Sequence, residues 1–459
     1  MPLLGEEALV LSKKYTDQRN RHFAANDLIY GVTWDKGSSP KLTRTDAAVG
    51  MIANPGLDMT VPKNDFDFAQ IYRDIKEVQD ELGNTFVRIP KFYIKKTDAP
   101  GLKTWQISRK KYPGFYLPWC FWDFAKNREL PHIDVGKYKA TLSADNKLES
   151  KPNLYPLISK NIVDFRTYAK NNNVNGLLGY QQLDIHVVDV LQTLFYVEFA
   201  TLDSQSIMYG FATGQYSESH VATAAEAGTN RIIVANSTAD QFRVGQTISL
   251  GTSRGGNQIA YGRTITAINV VDAGNKAIVF DGDPVTIAVG NYVYNTGRRN
   301  GFSSGIASTS GSEINNTDGK YPCIYRGIES PWGDIWQFVD GVNITENQAW
   351  VAKNAEDYAS NVFAFPYEQL GYVNSNANGY PKEMGFDPNN PFAEFPKTVG
   401  GSSSTYYSDY YHQSTGQRIA LFGGSWGSGS SVGLSRWSLD NSSSATDVTF
   451  GGRLLKKPL

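Results

Sequence analysis

Apolar residues recur at helical spacing in three parts of the chain. Residues 65–83, 161–174 and 184–201 each place apolar side chains at steps of three and four positions. A stripe of this kind is typical of an amphipathic helix that buries one face. The pattern therefore predicts three helices, and His186 in the last of them is interpreted as a structural residue.

Other parts of the chain show short runs typical of strands. Residues 28–45 predict a hairpin around a Gly-Ser-Ser-Pro turn, and residues 84–96 predict a strand in which Pro90 indicates an edge or a bulge. Between residues 215 and 298 runs such as RIIVAN, QTISLG and KAIVFDG alternate with Gly, Asn and Asp turns. No helical pattern interrupts them, so we expect a small inserted antiparallel barrel or sandwich.

Composition and charge narrow the classes of partner. The chain has 44 basic and 45 acidic residues and a formal net charge of −1, which gives no reason to expect a nucleic-acid partner. No run of 18 apolar residues occurs, so we expect no membrane insertion. Aromatic residues make up 13% of the chain and charged residues only 19%, which suits a β-rich protein with an amphipathic contact surface.

The sequence lacks the usual signatures of catalysis. It contains no G-x-S-x-G elbow, no Walker loop, no H-E-x-x-H and no Rossmann fingerprint, and its five His are scattered. The two cysteines, Cys120 and Cys323, lie far apart. We therefore expect no catalytic residue, no metal and no cofactor. Carboxylate pairs such as Asp184 with Asp189 are interpreted as helix-start and surface charges, although a glycosidase pair remains an alternative.

Four short motifs occur in a distinctive order: HIDVGKYKATL (132–142), YRGIESPWGDIWQFVDG (325–341), RIALFGGSWGSGSS (418–431) and FGGRLL (450–455). In this order they resemble the C-type lectin-like fold of formylglycine-generating enzymes and of phage receptor-binding proteins of the major tropism determinant type. The resemblance implies an α+β fold class, namely a C-type lectin-like domain with an inserted antiparallel β domain and an N-terminal arm. The enzyme branch needs a reactive cysteine pair after the GGS strand, and no Cys follows Cys323, so the oxidase chemistry should be absent.

The resemblance also implies an organisation for the chain. Residues 1–45 would form an attachment arm, and residues 215–298 would be the inserted β domain. Within the arm, the run EEALVLSKKYTDQ (6–18) itself predicts a helix. Residues 46–214 and 299–459 would be the first and second parts of the lectin-like domain, with contact loops in the second part.

The implied function is that of a tail-tip or tail-fibre receptor-binding protein of a phage or phage-derived particle. It would be assembled in the host cytoplasm and located in the virion tail. Expected partners are a host-surface receptor, either glycan or protein, other tail subunits through the arm, and further copies of the chain, with a trimer as the expected oligomer. The alternatives are a structural tail or baseplate protein that bridges other virion subunits, and a glycan-degrading enzyme on a fibre.

The contact surface is expected near the C-terminal end of the sequence. The segments STYYSDYYH (404–412) and SWGSGSSVGLSRWSLDNSSS (425–444) combine Tyr and Trp with Ser, Gly and Asn. Aromatic side chains of this type give a large contact area at low entropic cost, and the small polar residues supply adaptable hydrogen bonds. We therefore expect the two segments to converge on one exposed surface, with FGGRLL as a scaffold strand beneath them.

The predicted contact residues follow from these segments. Trp437 is expected to be exposed, whereas Trp426 has a second interpretation as a core residue, and Trp332 and Trp336 are assigned to the core. The predicted receptor-binding residues are Tyr406, Tyr407, Tyr410, Tyr411, Trp426, Ser428, Ser430, Ser431, Trp437, Asp440 and Asn441.

Overall fold

The computed structural model describes residues 27–174, 179–314 and 316–459. Strands account for 36% of the structure and helices for 11%, and the strands form small sheets. The expected α+β fold class is therefore wrong, and the chain has a β-rich fold. The predicted helix over residues 6–18 and most of the predicted arm lie outside the described residues.

The elements of the first 214 residues are mainly short strands. Before residue 160 they are β1 (Ile29–Trp34), β2 (Thr43–Asp46), β3 (Gly56–Leu57), β4 (Lys76–Gln79), β5 (Thr85–Pro90), β6 (Tyr93–Ala99), β7 (Leu102–Ser108), β8 (Trp122–Asp123), β9 (Arg128–Glu129), β10 (His132–Gly136), β11 (Thr141–Leu142) and β12 (Leu148–Glu149). Helix α1 (Ile162–Lys170), strand β13 (Tyr180–Gln182) and helix α2 (Ile185–Phe199) follow.

The remaining elements are strands apart from one short helix and a few 3-10 turns. Those up to residue 298 are β14 (Glu226–Thr229), β15 (Arg231–Ala235), α3 (Asn236–Ala239), β16 (Thr247–Ser253), β17 (Gly256–Val270), β18 (Asn275–Phe280), β19 (Val285–Ile287) and β20 (Tyr292–Asn295). Those after it are β21 (Gly311–Ser312), β22 (Cys323–Tyr325), β23 (Ile328–Glu329), β24 (Trp336–Thr345), β25 (Gln348–Val351), β26 (Glu368–Gln369), β27 (Pro381–Met384), β28 (Pro396–Val399), β29 (Tyr411–Gln413), β30 (Gln417–Phe422), β31 (Trp437–Leu439), β32 (Phe450–Gly451) and β33 (Leu454–Lys456).

Four sheets of four or more strands organise the described part of the chain outside residues 215–298, and one of them has the order β23-β22-β21-β3. The predicted hairpin forms as β1 and β2, within a sheet of order β2-β1-β7-β6. A second sheet has the order β13-β33-β10-β5-β4, so β33 of the FGGRLL motif lies between two strands more than 270 residues upstream. The largest sheet has the order β26-β25-β24-β30-β31-β29. Pro90 ends β5 and pairs with His132 of β10, whereas the pairing of β5 with β4 stops at Arg88. Pro90 is therefore paired on one side only, as an edge position requires, although β5 as a whole is an interior strand.

The helix predicted over residues 65–83 does not form. Two 3-10 helices, Asp65–Phe68 and Tyr72–Asp74, are followed by strand β4. Ile71 between them has a φ of 76°, which a right-handed helix does not contain. β4 pairs antiparallel with β5, so tertiary strand pairing replaces the locally favoured helix.

Helices α1 and α2 form where the pattern predicts them, and α2 is buried along its whole length. Most of its polar side chains are bonded inside the core, and the Thr193 hydroxyl is buried without a partner. Glu198 pairs with Arg326, Asp189 pairs with Lys96, and His186 Nε2 donates to Ala352 O at 3.1 Å. Both Asp184 and Asp189 are buried, so the interpretation as surface charges is wrong, whereas the interpretation of Asp184 as a helix-start residue is confirmed. Asp184 is the buried N-cap of α2, because its carboxylate satisfies a free backbone N–H of the first turn.

Residues 215–298 have a core of their own. A five-stranded sheet of order β15-β18-β17-β16-β20 stands beside the β14-β19 pair, and the buried cluster between them lies within residues 222–293. The two ends of the segment meet, since Asn295 N–H donates to Gln215 O at 2.8 Å. These contacts agree with the expected insert, and its exact boundaries remain a prediction.

Candidate functional site

The two segments expected to form the contact surface lie side by side. β29 of the first and β31 of the second pair in parallel, with His412 opposite Ser438. Upstream of this pair, Tyr410 N–H donates to Ser431 O at 3.0 Å. The pairing joins residues about 25 positions apart into one rigid part of the largest sheet.

Helix α2 holds the second segment in place from the core side. Gln192 Nε2 donates to Leu434 O at 2.8 Å, and Tyr196 OH lies 2.8 Å from Ser435 Oγ. All four residues are buried, so these bonds satisfy polar groups that would otherwise be stranded in the core. The Ser- and Gly-rich segment is therefore anchored beneath its surface.

A groove of about 690 Å³ lies where this segment meets the first residues of the inserted β segment. We call it the junction groove. Its lining residues are 214–217, Trp336, His412, 425–428, Ser431, Arg436, Ser438, 440–441 and 447–450. Its size is within the usual range for small-molecule sites, which combine aromatic walls with a few polar groups.

Arg436 is the buried cation of the junction groove. Its guanidinium lies between two aromatic rings, 5.1 Å from the centroid of Trp336 and 5.4 Å from that of Tyr410. It donates to Ser431 O at 3.3 Å, and His412 Nε2 lies 3.3 Å from its other terminal nitrogen. Burial lowers the pKa of Arg436 to about 10. Burial, and then the charge of Arg436, lower the pKa of His412, so the imidazole is neutral near pH 7.

Trp426 and Tyr216 form an aromatic wall of the groove. Their ring centroids are 5.5 Å apart, and Arg254 covers the Tyr216 ring at 4.5 Å. The main-chain N–H of Trp426 donates to the main-chain carbonyl of Asp334 at 2.7 Å, and this bond fixes the GGSW turn. Tyr216 is 36% exposed whereas Trp426 is 2% exposed, so Tyr216 offers most of the accessible aromatic surface in this wall.

Another part of the groove lining, which we call the rim, is polar and acidic. Asn441 Nδ2 donates to Asp440 Oδ1 at 2.9 Å, and the Ser438 hydroxyl donates to the same oxygen. Asp447 accepts from Thr449 N–H at 2.8 Å. The two carboxylates are thus held in place while they remain at least partly accessible.

The structure distributes the predicted contact residues over four places: the junction groove, an exposed position outside it, a second cavity and the core. Trp426, Ser428, Ser431, Asp440 and Asn441 line the junction groove, and Tyr410 reaches it through its contact with Arg436. Ser430 is exposed but does not line the groove.

Tyr406 lies at a second cavity of about 480 Å³ with Trp34, Lys36 and Lys382. The lysine side chain of Lys382 covers the Tyr406 ring at 5.6 Å. The second cavity and the junction groove have no lining residue in common, so Tyr406 is a useful control position for experiments on the groove.

The remaining three predicted contact residues are buried, and the expected exposure of Trp437 is wrong. Trp437 packs against Phe395 at 4.9 Å and Phe422 at 5.3 Å between ring centroids. Tyr407 packs edge-on against Trp34, and the Tyr411 hydroxyl donates to Ser375 O at 3.0 Å. They are buried because β29 and β31 lie within the sheet, so one face of each strand points into the core.

Sequence reasoning missed four features of the groove. Tyr216 was assigned to the start of the insert, Trp336 only to the core, and His412 and Arg436 to no site. Arg436 stands next to Trp437 in the sequence, and the Arg–Trp pair in a segment with few charges was the available signal. Tyr216 had no local signal, since it joins the site across more than 200 residues.

The three described ranges contain no group of three or more His, Cys, Asp or Glu side chains arranged to hold a metal ion. No helix in the same ranges is long and apolar enough to cross a membrane. The expectations that the protein needs no metal and no cofactor remain predictions.

Comparison with known proteins leaves the family open, because no protein-family model and no curated protein matches the chain.

Proposed function

We propose that the chain is a receptor-binding protein of a phage or phage-derived tail, which adheres to a host surface through the junction groove without catalysis. The observation that supports this most is the composition of the groove: an accessible aromatic wall, an acidic and amide rim, and a base of Ser and Gly. Concave sites with this mixture are typical of recognition surfaces. The order of the four sequence motifs, which resembles that of phage receptor-binding proteins, supports the same assignment.

In this proposal the other segments serve assembly. Residues 1–45 attach the chain to further tail subunits, and the virion tail is its location. FGGRLL acts as the scaffold that holds the C-terminal segments in place, since its strand β32 pairs with β24 of the sheet that contains β29 and β31.

Adsorption of the purified full chain to bacterial cells tests the proposal. Tyr216→Ala removes the accessible aromatic surface of the groove and should weaken adsorption at least about tenfold, as expected for an aromatic anchor. Tyr406→Ala is the matched control, because it makes the same change at the second cavity. If Tyr406→Ala weakens adsorption and Tyr216→Ala does not, the contact site lies at the second cavity instead.

Catalysis is tested with the same preparation. The full chain is incubated with polysaccharide extracted from cells to which it adsorbs, and new reducing ends are measured. Release of reducing ends that Asp440→Asn or Asp447→Asn abolishes would replace adhesion by glycan degradation, because paired carboxylates are the catalytic groups of glycosidases.

A second candidate function, bridging of virion subunits, is favoured by exposed apolar side chains near the N-terminal hairpin. Val49, Met59 and Val61 are 61%, 72% and 68% exposed, and clustered exposure of this kind marks contact surfaces. Light scattering of the full chain and of a Met59→Ser, Val61→Ser variant tests it. A trimer that dissociates in the variant supports self-association through this segment, whereas identical masses would place the subunit contact elsewhere.

A further inference from the structure

We infer that the ligand of the junction groove is an uncharged saccharide, bound jointly by the root of the inserted β segment and the C-terminal segment. This inference rests on the proposed function, because it names the chemical class of the host receptor. Three features of the groove support it: its aromatic wall, its buried unpartnered donors and the sign of its rim charge.

The aromatic wall fits the shape of a pyranose ring. A sugar ring has an apolar face of C–H groups and an edge of hydroxyls, so it needs a flat apolar surface beside polar groups. The 36% exposed Tyr216 ring, packed against the buried Trp426 ring, supplies the first, and Asp440 and Asn441 in the polar rim supply the second. Carboxylate and amide oxygens accept from sugar hydroxyls, and the amide N–H donates to them.

Two buried donors in groove-lining side chains have no partner. Trp426 and Arg436 are 2% and 5% exposed, and neither Trp426 Nε1 nor Arg436 Nε makes a hydrogen bond. Buried donors are nearly always satisfied by the protein, by water or by a ligand. Neutral hydroxyl and ring oxygens are acceptors that match both atoms.

The charge around the groove favours an uncharged ligand. Asp440 and Asp447 stand on the partly accessible rim, whereas Arg436 is buried between two rings and His412 is neutral near pH 7. An acidic sugar would approach two carboxylates before it reached Arg436. The other cation of the wall, Arg254, is already paired with Glu218 at 2.7 Å. Like charges in such proximity oppose binding, so uronates and sialates should be excluded.

Ligand binding in the groove also requires residues from both segments that line it. Residues 214–217 lead into the inserted segment, and Gly214 N–H donates to Trp426 O of the C-terminal segment. A saccharide in the groove therefore contacts residues that are separated by more than 200 positions. Neither side alone presents both the aromatic surface and the acidic rim.

Adsorption to treated cells separates this inference from the proposed function. Cells of a strain that binds the full chain are oxidised with periodate, which destroys vicinal diols of sugars, or digested with protease. Loss of adsorption after periodate but not after protease supports the saccharide. Loss after protease alone overturns the saccharide and leaves the receptor-binding function intact, whereas failure to adsorb to any strain of a broad panel overturns the function itself.

An array of immobilised neutral, uronate-containing and sialylated oligosaccharides then tests the chemistry. We expect binding to neutral glycans, an at least tenfold loss in Tyr216→Ala and Asp440→Ala, and retention in Tyr216→Phe and in the control Tyr406→Ala. Tyr216→Phe keeps the ring and guards against a folding artefact. Preference for acidic glycans, or equal binding by Tyr216→Ala and the unaltered chain, would overturn the inference.

Discussion

Arg453 of the FGGRLL motif provides the sharpest test of how this fold is held together. The side chain is 1% exposed, and all five guanidinium hydrogens are engaged. Nε donates to Gln337 Oε1 at 2.8 Å, and the terminal nitrogens donate to four main-chain carbonyls at 2.8–3.0 Å. These acceptors belong to Gly136, Lys137, Glu329 and Ser330, so one side chain joins three of the four sequence motifs.

The cost of removing this guanidinium follows from its acceptors. In Arg453→Met the Lys137 carbonyl keeps a second donor, Glu329 N–H at 2.9 Å, and the other acceptors lose the donor that Arg453 supplies. Each buried acceptor left without a partner costs about 1–3 kcal/mol. Relief from burying a cation offsets several kcal/mol of this. We therefore expect Arg453→Met to lower the free energy of unfolding by about 4 kcal/mol or more.

Urea unfolding monitored by tryptophan fluorescence measures the effect. Arg418→Met is the matched control, because Arg418 is only partly buried and donates to a single carbonyl, Thr415 O at 2.8 Å; it should cost less than about 1 kcal/mol. Arg453→Lys should also be clearly destabilised, since an ammonium cannot reproduce the five-donor fork. An Arg453→Met protein that unfolds within about 1 kcal/mol of the unaltered chain would refute the reasoning.

Three further predictions concern other parts of the chain. Trp437→Ala should destabilise the protein by about 3–5 kcal/mol because the ring is fully buried; a variant with unchanged melting and lost adsorption would contradict this. Burial lowers the pKa of His186 to about 3. Between about pH 6.5 and pH 3 the imidazole is therefore protonated in the unfolded state but not in the folded state. The free energy of unfolding should fall as the pH falls through this range, because proton binding favours the unfolded state. In His186→Asn the urea unfolding midpoint should fall less between about pH 6.5 and pH 3 than in the unaltered chain. If the midpoints of the two proteins change in parallel with pH, this role of His186 is refuted. Replacing residues 218–296 by a Gly-Ser linker should leave a cooperatively melting remainder, because the segment has its own core and its ends meet; an insoluble product would show that the segment is integral.

Local sequence was sufficient where the determining interactions are themselves local. Helix α1 is bounded by a capping box between Asn161 and Asp164, and α2 by the Asp184 cap, so the apolar spacing and the polar start signals agreed. The strands of residues 215–298 are separated by turn residues, and they form a core within that segment. That FGGRLL includes a strand was also predictable, and β33 is an interior strand, whereas the five hydrogen bonds of Arg453 were not predictable.

Tertiary structure decided what the same local patterns left open. Residues 65–83 have helical spacing, yet pairing of β4 with β5 and the positive φ of Ile71 give strand and 3-10 turns instead. The helices are few and short, so the fold class is β-rich and not α+β as predicted. β4 and β5 are separated by only residues 80–84, but the energy of pairing one strand with another does not appear in the period of a single segment, so it could not be predicted from that period.

The site illustrates the same limit. Ser, Gly and aromatic composition located the C-terminal half of the junction groove, but composition cannot tell which face of a strand points inward. Trp437 lies on the inner face of β31, and Tyr216, over 200 residues earlier, supplies the accessible ring. The exposure of a side chain depends on how the strands pack in space, whereas composition is a property of the chain alone. The sequence therefore determined the kind of contact surface, and the tertiary structure determined which residues form it.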